Sequence, residues 1–322
     1  MPNADDPVPL RVVYMGTPDF AVPALEALID SHHEVVGVFT QPDRKSGRGK
    51  KVRKPPVKKT AEAADVPVYQ PETLQGGHAL EQLVDFQPDV VVVAAYGQIL
   101  PEAFLEVPPY GCLNIHASLL PKYRGAAPIN WAIVRGEDKT GVTIMQMDAG
   151  LDTGPILATH EIDLPADMTA QQLHDRLADL GGDVIVEALD QLEAGELDPT
   201  PQDDDEASWA PMLSKEDGRI DWEADANDVA NHIRGFNPWP GAFAYHEQDG
   251  EKTRIKFHVA EPTDGAGEPG EVLEADASAG RLVIACGDGA IAVGEIQAPG
   301  RKAMRAGDFL NGYGVCEGDF FV

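Results

Sequence analysis

Asn114 and His116 lie two residues apart in the stretch GCLNIHASLLPKYRGAAP, Gly111 to Pro128. In a strand that spacing projects an amide donor and an imidazole from one face, while Leu113 and Ile115 point into the packing. Ser118 to Pro121 leaves such a strand as an extended turn, and Arg124 with Gly125 continues neither strand nor helix well. The pair is therefore expected at a strand end beside a loop, where open α/β sheets bind their ligands. A second stretch, GVTIMQMDAGLDTG from Gly141 to Gly154, reads as a strand over Val142 to Met147. It is followed by a glycine-punctuated loop with two carboxylates, Asp148 and Asp152. One of them is placed to orient or charge-balance His116. An Asn, a His and an Asp converging on one point supply an oxyanion donor, a general acid/base and its partner, a toolkit for acyl-type transfer. An isolated histidine is more often a core residue satisfied by backbone, and Asp148 could serve only to cap its loop, so residue types alone leave the assignment open.

The elements needed to hold these groups read as an α/β chain. Arg11 to Tyr14 is a short β-rich run, followed by a turn over Met15 to Asp19 and a helical pattern over Phe20 to Ile29. That turn holds one glycine, so the dinucleotide fingerprint is absent. Val35 to Thr40 and Val66 to Tyr69 are further strands, and the unbroken run Asp89 to Tyr96 suits a central parallel strand buried on both faces. Helices are expected over Thr60 to Ala64, Gly77 to Phe86 and Pro128 to Arg135, with a helical turn within Gln98 to Glu106. The alternation predicts a doubly wound, Rossmann-like sheet with the Asn114 strand near its middle. Pro155 to Ile162 adds a strand, and Thr169 caps a helix with Leu173, Leu177 and Leu180 on one face and His174 exposed on the other. Pro199 to Ser208 is rich in proline and acid, which places a domain boundary there, giving residues 1–207 and 208–322. After a helix over Trp222 to Ile233, five short β-rich segments separated by glycine turns, from Ala242 to Gln297, predict a small β-barrel.

Composition narrows the function classes. A chain of 322 residues with 43% hydrophobic content can bury a real core. Its three cysteines, Cys112, Cys286 and Cys316, have no close spacing, so neither a zinc site nor a disulfide framework is indicated, and a reducing cytoplasm is the expected setting. The acidic, proline-rich start and the short length of the longest apolar run, Val90 to Tyr96, predict neither export nor a membrane anchor. Nothing calls for an obligate oligomer, and a monomer is expected. The net charge of -29 would by itself repel a polyanion, and its wide spread along the chain fits a surface adapted to salt. The one dense acidic run, Asp203 to Glu206, reads as a solvated linker rather than a metal site.

Against that background one segment stands out. Nine of the 25 basic residues fall between Arg44 and Lys59: Arg44, Lys45, Arg48, Lys50, Lys51, Arg53, Lys54, Lys58 and Lys59, with no acid among them. Gly47, Gly49, Pro55 and Pro56 mark the segment as a loop. A concentrated basic loop on an acidic body is a directed contact for nucleic-acid phosphates, with the surrounding acid restricting the orientation of binding.

The two central stretches, with the flanking segments Arg11 to Phe20, Phe39 to Arg44, Phe236 to Pro240 and Gly300 to Met304, resemble the 10-formyltetrahydrofolate-dependent formyltransferases over nearly the whole chain. The resemblance implies formyl transfer from 10-formyltetrahydrofolate as co-substrate, without a metal, to initiator methionyl-tRNA. Formylation of a small amine, an amino-sugar nucleotide or a glycinamide ribonucleotide, is the alternative. It places Asn114, His116 and Asp152 at the catalytic positions and Ser118, Leu119, Leu120 and Pro121 against the folate. It assigns Arg44, Lys45, Arg48, Lys50, Lys51, Arg53 and Lys54 to the transfer RNA, with Arg301 and Lys302 joining from a C-terminal domain similar to an oligonucleotide-binding barrel. Arg254, Lys256 and Arg305 are further phosphate contacts there.

Overall fold

The computed structural model describes residues 8–46, 51–248 and 250–322. The chain forms two compact units, one of Met1–Gly125, Thr140–Ile162 and His174–Trp209, the other of Ala126–Lys139, Asp163–Leu173 and Ala210–Val322. Among the described residues no helix is long and apolar enough to cross a membrane.

The first unit is built on valine-rich strands. In chain order it contains β1 (Arg11–Gly16), α1 (Val22–Asp30), β2 (Glu34–Phe39), β3 (Arg44–Ser46), β4 (Lys51–Arg53), α2 (Pro56–Ala63) and β5 (Val68–Tyr69). There follow α3 (Gly77–Asp85), β6 (Val90–Ala94), α4 (Glu102–Leu105), β7 (Cys112–His116) and β8 (Arg124–Gly125). Then come α5 (Pro128–Val134), which belongs to the other unit, β9 (Lys139–Gln146), β10 (Ile156–Asp163) and the long α6 (Ala170–Ala194). The main sheet runs β10-β9-β7-β6-β1-β2-β5. Neighbours from β7 to β5 are parallel, and the order reverses between β1 and β6. Right-handed crossovers on either side of such a reversal place helices on both faces, the doubly wound arrangement. Every residue of β6 is buried, as its apolar run requires. Alternate residues divide between the faces: Val13, Met15, Val91 and Val93 share one core cluster with Phe39, Leu83 and Phe104.

Two features depart from expectation. Strand β9 lies antiparallel to β7, pairing Asn114 with Met145 and His116 with Thr143. The basic segment is not simply a loop: β3 and β4 pair antiparallel, Arg44 opposite Arg53, and Pro56 starts α2 early enough to put Lys58 and Lys59 on a helix. Proline suits that first helical position, because its missing N–H would have no partner there anyway.

Helix α6 begins with a reciprocal cap, in which Gln172 N–H donates to Thr169 Oγ1 and Thr169 N–H donates to Gln172 Oε1. Further along, Gly181 faces the sheet and Gly182 faces α1, where Pro23 and Ala27 lie nearest. A Cβ on Gly181 would stand 2.9 Å from Ile115 Cγ2, so glycine is what lets the helix approach β7. His174 is less exposed than expected, meeting the Phe20 ring edge-on at 5.5 Å between centroids.

In the second unit α5 packs on α7 (Ala226–Gly235), with Asn130 Nδ2 donating to Gly235 O at 2.8 Å. Asp225 caps α7 by accepting from the N–H groups of Asn227 and Asp228. After β11 (Trp209–Ala210), the antiparallel sheet comprises β12 (Ala242–Gln248), β13 (Glu251–Thr263), β14 (Val272–Asp276), β15 (Arg281–Ala285), β16 (Ala290–Gln297) and β17 (Met304–Arg305). Its order is β12-β13-β16-β15-β14, with β17 on β16. The chain's last residues bridge both edges: Val322 exchanges backbone bonds with Tyr245 of β12, and Phe321 N–H and Val272 N–H tie the tail beside β14. The core gathers Trp222, Phe257, Ile284, Ile291, Phe309 and Phe321. Helix α8 (Ala306–Tyr313), which supplies Phe309, had no counterpart among the expected elements.

Candidate functional site

The period-2 geometry of β7 sets Asn114 and His116 on one face at the strand's C-terminal end. Asp152 approaches from the loop after β9. Its carboxylate lies between them: Asn114 Nδ2 donates to Asp152 Oδ1 at 3.5 Å, and His116 Nδ1 stands 3.8 Å from Asp152 Oδ2. All three expected residues therefore meet. His116 is 5% exposed, and the other ring nitrogen, Nε2, lies 2.9 Å from the carbonyl oxygen of Tyr123. A carbonyl can only accept, so Nε2 carries hydrogen in this contact. Nδ1 is then the ring atom able to take up or release a proton, and it faces Asp152.

The loop bearing Asp152 is held by its own residues. Asp148 Oδ1 accepts from Gly150 N–H at 2.9 Å and Thr153 Oγ1 at 2.7 Å, so of the two carboxylates this one closes the turn. Gly154 passes so close to the Gln146 carbonyl that a Cβ there would collide with it. Asp152 adopts a left-handed backbone, φ 55°, and its Oδ2 accepts from Gly125 N–H at 2.8 Å.

The stretch from Ser118 to Pro121 lies beside β7, with its polar atoms largely engaged. Ser118 Oγ donates to Lys122 O at 2.7 Å, Thr143 Oγ1 donates to Ser118 O at 2.7 Å, and Leu120 N–H donates to Thr143 Oγ1 at 3.1 Å. Ser118 and Leu120 are buried, while Leu119 and Pro121 are half-buried.

Of the expected nucleic-acid contacts, Arg48 and Lys50 lie outside the described residues. Lys45 and Lys51 occupy β3 and β4, and Arg53 is exposed on β4. Arg44 Nη2 donates to Gln41 Oε1 at 3.2 Å. Lys54 pairs with Glu62 at 2.6 Å, a hydrogen bond that holds its ammonium above the ordinary lysine value. Lys58 pairs with Asp43, whose carboxyl is held below its usual range by hydrogen bonds from Gln70 and then Lys58. Those two lysines are thus committed to acids that flank the basic run. In the C-terminal unit Arg301 and Lys302 are exposed, and the Arg254 guanidinium lies 3.6 Å over the Phe243 ring.

Sequence reasoning missed the segment behind the site. The acidic run Asp203 to Glu206 is exposed, as expected, but the stretch around it docks: Asp204 pairs with the buried Arg124 at 2.8 Å, Gln202 reaches the Asp152 loop, and Ser208 Oγ accepts from Tyr123 N–H at 2.9 Å. Its composition carries no signal for this, because acids and prolines look alike in a linker and in a docked strap.

Among the described residues one group could be read as metal ligands: His32, His33 and Asp190. Leu10 N–H donates to His33 Nδ1 at 3.3 Å, which leaves the proton on Nε2, the atom 3.2 Å from Asp190 Oδ1. A nitrogen that holds its proton is not a ligand, burial favours the neutral His33 ring, and the group fits a polar contact between α6 and the turn before β2.

Comparison with known proteins gives a consistent result. The chain matches the family model for formyl transferase over residues 10–189 and that for the formyl transferase C-terminal domain over residues 212–314. It is 48% identical over 306 residues to the methionyl-tRNA formyltransferase of Citrifermentans bemidjiense, covering 94% of each chain. It is 50% identical over 314 residues to that of Aromatoleum aromaticum, covering 97% of each. Among solved structures, the N-formyltransferase of Helicobacter canadensis in complex with folinic acid and dTDP-3-aminofucose shares its fold, with TM-score 0.67, 18% identity and coverage of 90% of this chain and 99% of that one. HypX of Aquifex aeolicus in complex with tetrahydrofolic acid matches with TM-score 0.60 and 20% identity, over 98% of this chain and 51% of that one.

Proposed function

The chain belongs to the formyl transferase family, and from that premise we propose that it transfers the formyl group of 10-formyltetrahydrofolate to the free amino group of methionyl initiator tRNA. The observation that carries this reading is identity of 48% and 50% to methionyl-tRNA formyltransferases, sustained over at least 94% of both chains. The product is the formylated initiator of translation.

Formyl transfer needs a neutral amine to attack the formyl carbon, a donor for the resulting oxyanion, and a proton for the departing folate nitrogen. Asn114 Nδ2 is the oxyanion donor; loss of one such donor typically costs about 3 kcal/mol of barrier. His116 exchanges the proton through Nδ1, because Nε2 is held on Tyr123 O. Asp152 stabilises the imidazolium and accepts from the attacking amine. No metal is required by this scheme. The half-buried Leu119 and Pro121 offer apolar surface to the folate, and Ser118 and Leu120 support them from beneath.

Arg44, Lys45, Arg48, Lys50, Lys51 and Arg53 contact the transfer RNA, with Arg301 and Lys302 from a C-terminal domain of oligonucleotide-binding type. Lys54 contributes less because Glu62 already neutralises it. Residues 1–207 form the catalytic domain and residues 208–322 the tRNA-binding domain of a cytoplasmic monomer. The test is transfer of labelled formyl from 10-formyltetrahydrofolate to charged initiator tRNA over a salt series, beside an amino-sugar nucleotide and a glycinamide ribonucleotide. Transfer to the tRNA alone supports the reading. Formylation of a small amine, with none on tRNA at any salt, would overturn the acceptor and leave the family intact.

A further inference from the structure

Asp152 needs help to stay where it is. Its φ of 55° lies in the left-handed region, which non-glycine residues occupy at a cost unless the surroundings enforce it. The enforcement comes from one side chain 50 residues away. Gln202 Nε2 donates to Asp152 O at 2.9 Å and to Gly154 O at 2.7 Å, gripping the loop on both sides of Thr153.

The other end of the amide is equally committed. Gln202 Oε1 accepts from Arg124 Nε at 3.0 Å and Nη2 at 2.9 Å. Arg124 is 4% exposed, and its Nη2 also pairs with Asp204 at 2.8 Å. Its backbone N–H donates to Ser208 O at 2.8 Å. The residue after it, Gly125, donates its N–H to Asp152 Oδ2, and the residue before it, Tyr123, offers the carbonyl that meets His116 Nε2. One amide therefore links the backbone of Asp152 to the segment that orients both the Asp152 carboxylate and the His116 ring.

We propose that Gln202, bound to Arg124, is a positioning residue for formyl transfer, holding Asp152 against His116 and Asn114 in the conformation the reaction uses. This rests on the reading of Asp152 as a catalytic residue. Only the amide can fill the position, because it must accept two N–H groups from a guanidinium at one end and donate to two carbonyls at the other. A carboxylate would keep the Arg124 contact and turn an acceptor toward both carbonyls.

The experiment compares Gln202→Glu, Gln202→Met and Asp152→Asn with the wild-type chain, measuring kcat and KM for formyl transfer to charged initiator tRNA together with circular dichroism and thermal unfolding. Both Gln202 variants are expected to remain folded and lose about 30-fold in kcat, the scale of a displaced reacting group, with both KM values within about twofold of wild type. Wild-type kcat in the Gln202 variants, or a loss that appears in KM rather than kcat, with Asp152→Asn impaired, would overturn the positioning role and leave Asp152 standing. Wild-type turnover in Asp152→Asn would overturn the underlying reading itself. A fall in kcat that only tracks loss of fold in both Gln202 variants would reduce the amide to a structural part.

Discussion

At the scale of single residues, the tautomer of His116 decides how the site works. Tyr123 O fixes hydrogen on Nε2, so in the proposed transfer the proton would pass through Nδ1, the ring atom beside Asp152. Replacing Asn114 by Ala is expected to lower kcat about 100-fold with little effect on tRNA binding, since its donor matters most when the oxyanion has formed. Steady-state kinetics beside tRNA filter binding would check this, and an equal loss in both would place Asn114 in ground-state binding instead. The thiols give a second prediction at this scale. Burial pushes Cys112 up to about 12, and burial followed by Asp225 pushes Cys286 up to about 11, so neither forms appreciable thiolate at pH 8. Cys316 is exposed, and alkylation of the native chain should label it first, read by peptide mass mapping. Rapid labelling of Cys112 would mean that β7 opens readily. The Asn114 and His116 pair was legible because strand alternation is local. Gln202 was not, since its partners lie 50 and 78 residues away and its neighbours are acids that normally seek water.

At the scale of elements, packing settles what patterns leave open. The β6 strand declared itself by composition, because only a strand covered on both faces tolerates so many consecutive valines. The direction of β9 did not, as an apolar strand reads the same either way along its neighbour. Helix α8 was hidden by Gly307 and Gly312, which depress helix propensity, while the full burial of Phe309 stabilises it by tertiary contact. The basic ribbon was masked because its two strands are only three residues each, too short for a period-2 pattern to show, and glycines stand in the sequence between them. Helix α6 offers the sharpest test at this scale. Gly181→Ala would place its methyl 2.9 Å from Ile115 Cγ2, directly behind the strand that carries Asn114 and His116. Either α6 retreats or β7 shifts, and overpacking of this kind costs about 1–3 kcal/mol. Urea unfolding should show that loss, with kcat falling beyond it if the strand is what yields. Thr169→Ala, at the capped end of the same helix, should cost only about 1 kcal/mol and leave kcat alone.

At the scale of the whole molecule, the net charge of -29 sets stability and substrate binding against each other. Carboxylates spread over both units repel one another, and that repulsion acts against the folded chain because folding brings like charges closer. Salt weakens it: the screening length falls from about 10 Å at 0.1 M to about 3 Å at 1 M. The same salt weakens tRNA binding, because contacts with phosphates draw much of their free energy from released counterions. Raising potassium chloride from 0.1 to 1 M should therefore raise the unfolding temperature and lower affinity for initiator tRNA. Substituting Arg53→Ala should flatten the salt slope of binding by about one ion without changing the salt response of unfolding, since Arg53 stands exposed on β4. Differential scanning calorimetry and filter binding on the same samples would separate the two responses. If unfolding proved indifferent to salt, the surface acids would have to be arranged so that their repulsions are already offset by neighbours, as Glu62 and Asp43 are by Lys54 and Lys58. If the salt slope of binding kept its full value in Arg53→Ala, that arginine would have no phosphate partner and the ribbon's contact would pass through its other cations.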